Sequence, residues 1–269
     1  MLGDHSALPV LCGLFEADCD EPRRVETAAG VAALISVRSP AADGVNEDAA
    51  VALDGGAVTV LAVADGYGGG PTGERAARLS LEALAEGAAS AADGAQALLA
   101  AARAANRAVS ALGTGAATTL LAAVVDGATV TTMSVGDSML VVVGQRGKIK
   151  LRSVPHSPVG YAVESGLLDE EDAMHHEARH FVSNMIGEPT LRMELTVGTP
   201  LSPRDTLVLG TDGLWDNLRV DEVIETVRTG ALDEAAATLA RKVRGRMVAP
   251  APGEPSKTDD CTFILYRPV

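Results

Sequence analysis

The chain has 269 residues, 47% of them hydrophobic, and a formal net charge of -14, which suits one enzyme-sized globular domain and excludes wholesale disorder. Its acid excess argues against nucleic acid or an anionic membrane surface as partner, since both require clustered Lys and Arg. Cys12, Cys19 and Cys261 form no CxxC pair, which excludes a disulfide framework and a thiolate zinc site.

In chain order, short runs rich in Val, Leu, Ile and Thr predict strands at 31–37, 49–53 and 57–64, followed by two Ala-rich helices at 72–89 and 95–111. Strands resume at 116–125, 128–135, 139–143 and 148–153, and broken helical pieces cover 159–173. Strands at 191–197 and 206–210, helices at 220–229 and 232–247 and a strand at 261–266 complete the pattern. Tight turns at Asp54-Gly55-Gly56, Asp126-Gly127 and Gln145-Arg146-Gly147 favour hairpins. The expected class is therefore α/β in the α+β sense, with antiparallel sheets and helices packed outside them. We expect one domain over 1–269, with 1–30 as an N-terminal extension and 248–258 as a Pro-rich surface loop. Residues 8–15 follow Asp4 and His5 and precede an acidic segment, unlike a secretory leader, and no run reaches the roughly 18 apolar residues of a membrane span. No membrane partner and a cytoplasmic location are expected.

The run VLAVADGYGGG (60–70) ends a strand in Asp65 and four glycines within five positions. It has neither GxGxxG spacing nor the lysine of a GxxxxGK[ST] loop, which excludes a nucleotide loop. A lone Asp-Gly after a strand is more often a turn than a ligand. Here, however, Asp65 and Asp212 end strands while Asp48, Asp259 and Asp260 precede them. In antiparallel strands such positions meet at one edge. Carboxylates gathered there repel each other unless a cation neutralises them. An oxygen-only set selects Mg²⁺ or Mn²⁺, with the Gly66 carbonyl as a further donor.

The segments NEDAA (46–50), VADGYGGGPTGERAA (63–77), GTGAATTLLAAVV (113–125), SVGDSMLVVV (134–143), LGTDGLWDNL (209–218) and DDCTFIL (259–265) occur in that order. Together they resemble the successive motifs of the metal-dependent Ser/Thr protein phosphatases, the PPM or type 2C family, over residues 30–267. The resemblance implies a four-layer β-sandwich of two antiparallel sheets flanked by antiparallel helix pairs. It implies that Asp65 bridges two Mn²⁺ or Mg²⁺ ions, with the Gly66 carbonyl on one and Asp212 and Asp259 on the other. Glu47 and Asp48 match the acidic pair near the metal waters, and Asp137 and Asp216 match ligands of a third, weaker ion. The implied reaction is hydrolysis of phosphoserine or phosphothreonine on proteins by a hydroxide bridging the two metals, opposing a Ser/Thr kinase.

Several positions depart from the family pattern. The phosphate-binding Arg is replaced by Asp43, and Arg38 is the candidate substitute if loop 39–44 folds it inward. Met139 follows Gly136-Asp137-Ser138 where an Arg is usual, Pro155 precedes His156-Ser157, and Asp260 stands in place of Asn. Tyr67 is expected as a ring at the cleft rim, and Trp215 as packing beneath the site. His175, His176 and His180 read as a solvated flap rather than a second metal site. A weakened metal-binding regulatory module, or a phosphatase of a small phosphorylated metabolite, are the alternatives that the Asp43 substitution favours.

Overall fold

Two facing antiparallel sheets, each with helices on its outer side, organise the computed structural model, which describes residues 9–41, 43–69, 71–88 and 93–269. Gly70, and position 89 at the expected end of the first helix, lie outside the described residues. The chain opens with β1 (Val10–Phe15), β2 (Cys19–Thr27), β3 (Gly30–Val37), β4 (Asp48–Asp54) and β5 (Val58–Tyr67). Helices α1 (Pro71–Ala88) and α2 (Gly94–Ser110) follow, then β6 (Ala117–Thr118), β7 (Leu120–Asp126), β8 (Thr129–Val135), β9 (Met139–Val143) and β10 (Ile149–Arg152). Short helices α3 (Pro158–Glu164) and α4 (Glu170–Met174) lead to β11 (Glu194–Pro200) and β12 (Thr206–Gly210). The chain ends with α5 (Asp212–Trp215), α6 (Val220–Val227), α7 (Leu232–Val248) and β13 (Cys261–Pro268). One sheet runs β1-β4-β5-β7-β8-β11 with β6 on β5, and the other β10-β9-β12-β13-β3-β2.

Side-chain alternation sorts the core into three layers. In β4 and β5, Val51, Leu53, Val60 and Ala62 turn outward against α1 and α2, while Ala50, Leu61 and Val63 turn toward the other sheet. In β13, Phe263 and Leu265 pack beneath α6 and α7, while Ile264 and Tyr266 meet the first sheet. Strands buried on both faces read as continuous apolar runs, which is why the sequence marks them so clearly. Alanine in α1 and α2 serves close packing, since a Cβ on Gly87 would lie 3.0 Å from that of Ala101. This is the four-layer arrangement that the motif resemblance implies.

Several elements differ from those expected. Residues 10–27 contribute β1 and β2, paired with β4 and β3; β2, with the sequence CDEPRRVET, is a polar edge strand that shows no apolar alternation. The expected strand 116–125 breaks at Thr119, whose hydroxyl accepts the Asp65 N–H and whose own N–H donates to the Asp65 carbonyl. Strand 191–197 is displaced to 194–200. Finally, β5 continues through Gly66 and Tyr67, and the bend falls at Gly68 and Gly69, where φ is +146° and +77°.

Leu61 is fully buried between the sheets. Leu61→Ala should lower unfolding free energy by about 2–5 kcal/mol in urea titration, and a loss below about 1 kcal/mol would mean that the sheets do not close on this side chain.

Candidate metal centre

At one end of the two sheets a side-chain hydrogen bond, from Thr211 to Asp48, runs from one sheet to the other. Asp48 opens β4 directly opposite Asp65 in β5, so the carboxylates come from neighbouring strands of the first sheet. The second sheet supplies Asp212, just after β12, with Asp259 and Asp260 just before β13. Thr211 joins the sheets, since its N–H donates to the Thr262 carbonyl at 2.9 Å and its hydroxyl to Asp48 Oδ2 at 2.8 Å. Asp137 sits in the turn between β8 and β9. That turn is braced by the fully buried His156, whose N–H donates to the Gly136 carbonyl and whose Nδ1 accepts the Gly136 N–H.

Both Asp-Gly pairs serve close approach rather than turning. A Cβ on Gly66 would lie 2.2 Å from the Gly73 carbonyl oxygen and 2.8 Å from that of Glu47; one on Gly213 would lie 1.8 Å from the Asp260 oxygen. Only glycine lets the start of α1 and the segment preceding β13 come this near the acidic residues. Glu47 joins the same corner, with Oε2 1.8 Å from where a Cβ on Gly73 would stand.

The electrostatics follow from burial and mutual repulsion. Asp48 and Asp65 are pushed well above the ordinary carboxylate range, chiefly by burial and then by neighbouring carboxylates: Asp260, Asp259 and Asp212 for Asp48, and Asp48, Asp212, Asp259 and Asp137 for Asp65. Asp137 is raised to about 8 by burial, Asp212 and Asp216. Its Oδ1 is buried without a hydrogen-bond partner. Asp216 and Asp259 rise to about 6 through burial and Asp212, with Lys257 opposing.

Lys257 is the group that the sequence reading missed. Its ammonium pairs with Asp212, with Asp259 at 3.0 Å and with Asp216 at 3.1 Å. Burial works against its charge, but the three carboxylates outweigh burial and hold it above the ordinary lysine range. The available signal was its place as the single cation of the Pro-rich loop, two residues before Asp259. Among the described residues, no three His, Cys, Asp or Glu side chains stand as a ready-made metal cage, and around Asp212 and Asp259 the carboxylates are arranged on the lysine. Chemically the donors fit Mg²⁺ or Mn²⁺: oxygen only, charge-crowded, and with the buried Asp137 Oδ1 unmatched.

The remaining candidates separate. Arg38 is half-buried, and its Nη1 donates to the exposed Gly44 carbonyl at 2.8 Å. Its charge acts on Asp260, and Asp43 is exposed. Asp260 accepts the N–H groups of Ser39 and Glu47, each at 2.7 Å, so the carboxylate in the place of Asn fastens the 39–47 loop. Tyr67 is exposed. Trp215 is half-buried and donates to the Met139 and Gly210 carbonyls at 3.1 Å. α4 ends at Met174, so His175, His176 and His180 do not share a helix face; His175 lies 3.6 Å from Glu171, and His180 packs on Phe181. A cavity of about 530 Å³ lies between α3–α4 and α5–α6, lined by Asp137, Asp212, Asp216, Arg152, Trp215 and Arg219 among others. Ion pairs Arg152–Glu170 and Arg219–Glu171, both 2.7 Å, clip α4 over it.

An acid whose pKa is higher folded than unfolded keeps a proton that the unfolded chain has released, so stability falls as pH rises from its unfolded to its folded pKa. For Asp216, Asp259 and Asp137 that window runs from the ordinary value of 3.8 to about 6 and about 8. In EDTA, the melting temperature should therefore fall between about pH 5 and pH 8, and Asp137→Asn should flatten the upper half of the decline. A melting temperature that rises across this window would contradict the assignment.

A family model described as Protein phosphatase 2C matches residues 39–244. A putative protein phosphatase 2C-type from Streptococcus pyogenes is 31% identical over 108 residues, covering 40% of this chain and 43% of that protein. The chain spans less than half the length of the curated relatives it matches. Among solved structures, the Mycobacterium tuberculosis serine/threonine phosphatase PstP/Ppp aligns with a TM-score of 0.74 at 25% identity, covering 89% of this chain and 98% of that one. The catalytic domain of the phosphatase PstP in complex with two manganese ions aligns with a TM-score of 0.73 at 24% identity, covering 90% and 99%.

Proposed function

Because the chain belongs to the protein phosphatase 2C family, we propose that it is a metal-dependent hydrolase that removes phosphate from phosphoserine and phosphothreonine of proteins. The observation that carries this reading is the meeting of Asp65, Asp48, Asp212 and Asp259 from two sheets at one corner, each acid coming from a different one of the quoted motifs. Asp65, the Gly66 carbonyl, Asp212 and Asp259 would hold two Mn²⁺ or Mg²⁺ ions. Glu47 and Asp48 would hold waters of that centre, and Asp137 with Asp216 would offer a third, weaker position. A relative in this family carries two manganese ions. When bound, such ions supply an acidified water and neutralise charge on a phosphoryl group.

The chain's own residues do the positioning. Asp65 is held through its backbone by Thr118 and Thr119, so its carboxylate stays fixed where both sheets reach it. Thr211 donates to Asp48 and fixes which oxygen that carboxylate turns toward the second sheet. Arg38, pinned by Gly44, is the candidate for the substrate phosphate in place of the Arg replaced by Asp43. The cavity beside Asp137 and Asp216, walled by α4, offers room for residues flanking a phosphorylated side chain. We further propose a cytoplasmic enzyme that opposes a Ser/Thr kinase; none of the described helices is long and apolar enough to cross a membrane.

Purified protein should hydrolyse p-nitrophenyl phosphate and a phosphothreonine peptide with Mn²⁺ or Mg²⁺ and stop in EDTA. Asp65→Asn and Asp212→Asn should each lower kcat by about 10²-fold or more while the fold is retained. Metal binding without turnover of either substrate would contradict this reading and favour a regulatory module, since the Asp43 substitution removes the usual phosphate ligand. Arg38→Ala should raise KM with little change in kcat, and an unchanged KM would remove Arg38 from substrate binding.

A further inference from the structure

Lys257 is held in the acid cluster by two independent sets of contacts. At its side chain, one ammonium with three N–H donors faces three carboxylates: Asp212, Asp216 and Asp259. At its backbone, the fully buried Asn217 clamps it, with Oδ1 accepting the Lys257 N–H at 3.0 Å and Nδ2 donating to the Lys257 carbonyl at 2.8 Å. The same Nδ2 donates to the Gly213 carbonyl at 2.9 Å, which ties the lysine to the Asp-Gly pair that begins α5. The backbone of Lys257 is thus anchored independently of its side-chain contacts.

Two of these carboxylates, Asp212 and Asp259, are the ones that the metal reading assigns to the second ion. An ammonium seated on Oδ2 of Asp212 and of Asp259 and a divalent ion drawn to the same two carboxylates disfavour each other, because two cations so close repel in a partly buried site. We propose that Lys257 is a resident cation of this centre, neutralising Asp212, Asp216 and Asp259 in the metal-free chain and competing with the divalent ion that Asp212 and Asp259 would hold. The inference rests on the metal reading of the preceding section. It gives the chain two states of the same pocket. In one, the lysine closes the cluster and cross-links α5 to the segment before β13. In the other, the ion takes Asp212 and Asp259, and the displaced ammonium stands at the rim of the centre, tethered by Asn217. Occupancy of the second position then requires a higher metal concentration than it would without the lysine, whereas the position at Asp65 and Gly66, which the lysine does not contact, is not weakened in this way.

Calorimetric titration of Mn²⁺ into the metal-free wild-type chain and into Lys257→Gln tests the competition. Removing the ammonium should tighten one of the two Mn²⁺ sites about tenfold or more and leave the other unchanged, because apparent affinity scales with the fraction of sites free of the competitor. The same variant should melt at a lower temperature than wild type in EDTA and close that gap when Mn²⁺ is added. A second measurement uses the unaltered protein: acetic anhydride labelling of the Lys257 amine, read by mass spectrometry, should increase on adding Mn²⁺. Equal or weaker Mn²⁺ binding in Lys257→Gln would overturn the proposal, as would labelling of Lys257 that Mn²⁺ leaves unchanged or reduces. Failure of both chains to bind Mn²⁺ would overturn the metal reading itself, and the competition with it, whereas binding with equal affinity would remove only the lysine's role.

Discussion

Carboxylates brought together at the meeting edge of two sheets repel one another, and the fold brings them together regardless. Asp48 and Asp65 are locked side by side by strand register, and Asp212 and Asp259 arrive on the opposing sheet, with Thr211 reaching across to Asp48. Burial prevents water from screening the charges. The crowding must be relieved, by a cation or by retained protons. Lys257 meets part of that need at Asp212, Asp216 and Asp259; at Asp65 and Asp48 the carboxyls instead sit far above their ordinary range.

The rest of the molecule can be understood as support for this corner. The inter-sheet layer of Leu61, Val63, Ile264 and Tyr266 fixes the spacing of the sheets, and so the spacing of the acids at their ends. α1 crowds onto Gly66 through Gly73, and the segment before β13 crowds onto Gly213 through Asp260. A methyl group at either glycine would push an acid-bearing strand end away from its partners. Asp260, at first sight a surplus charge, satisfies two main-chain N–H groups of the loop that carries Glu47. This explains how a carboxylate is tolerated in that place.

Much of this was legible in the sequence because the strands are buried on both faces and read as unbroken apolar runs, and because Asp-Gly pairs mark their ends. The two sheets, the outer helix pairs and the shared corner for Asp65, Asp48, Asp212 and Asp259 follow from those signals and from the motif resemblance. What escaped had physical reasons. β2 is a polar edge strand without apolar periodicity. α5 is a single turn whose start looks like a strand-ending turn. Asp65-Gly66 reads as a bend, although the backbone stays extended to Tyr67 and the glycine is required by a neighbour distant in sequence. Lys257 lies in a Pro-rich loop that looks like solvent-facing linker, and the contacts that hold it at the cluster, the Asn217 clamp and the carboxylates of Asp212 and Asp216, come from 40 or more positions away.

Anomalous scattering at the manganese edge from crystals grown with Mn²⁺ tests the central claim most directly. Two peaks are predicted at the meeting edge of the sheets, one against Asp65 and the Gly66 carbonyl and one among Asp65, Asp212 and Asp259, with the Lys257 ammonium moved off the latter two. Crystals that show no peak at this corner, or manganese only elsewhere, with Lys257 still seated on Asp212 and Asp259, would contradict it.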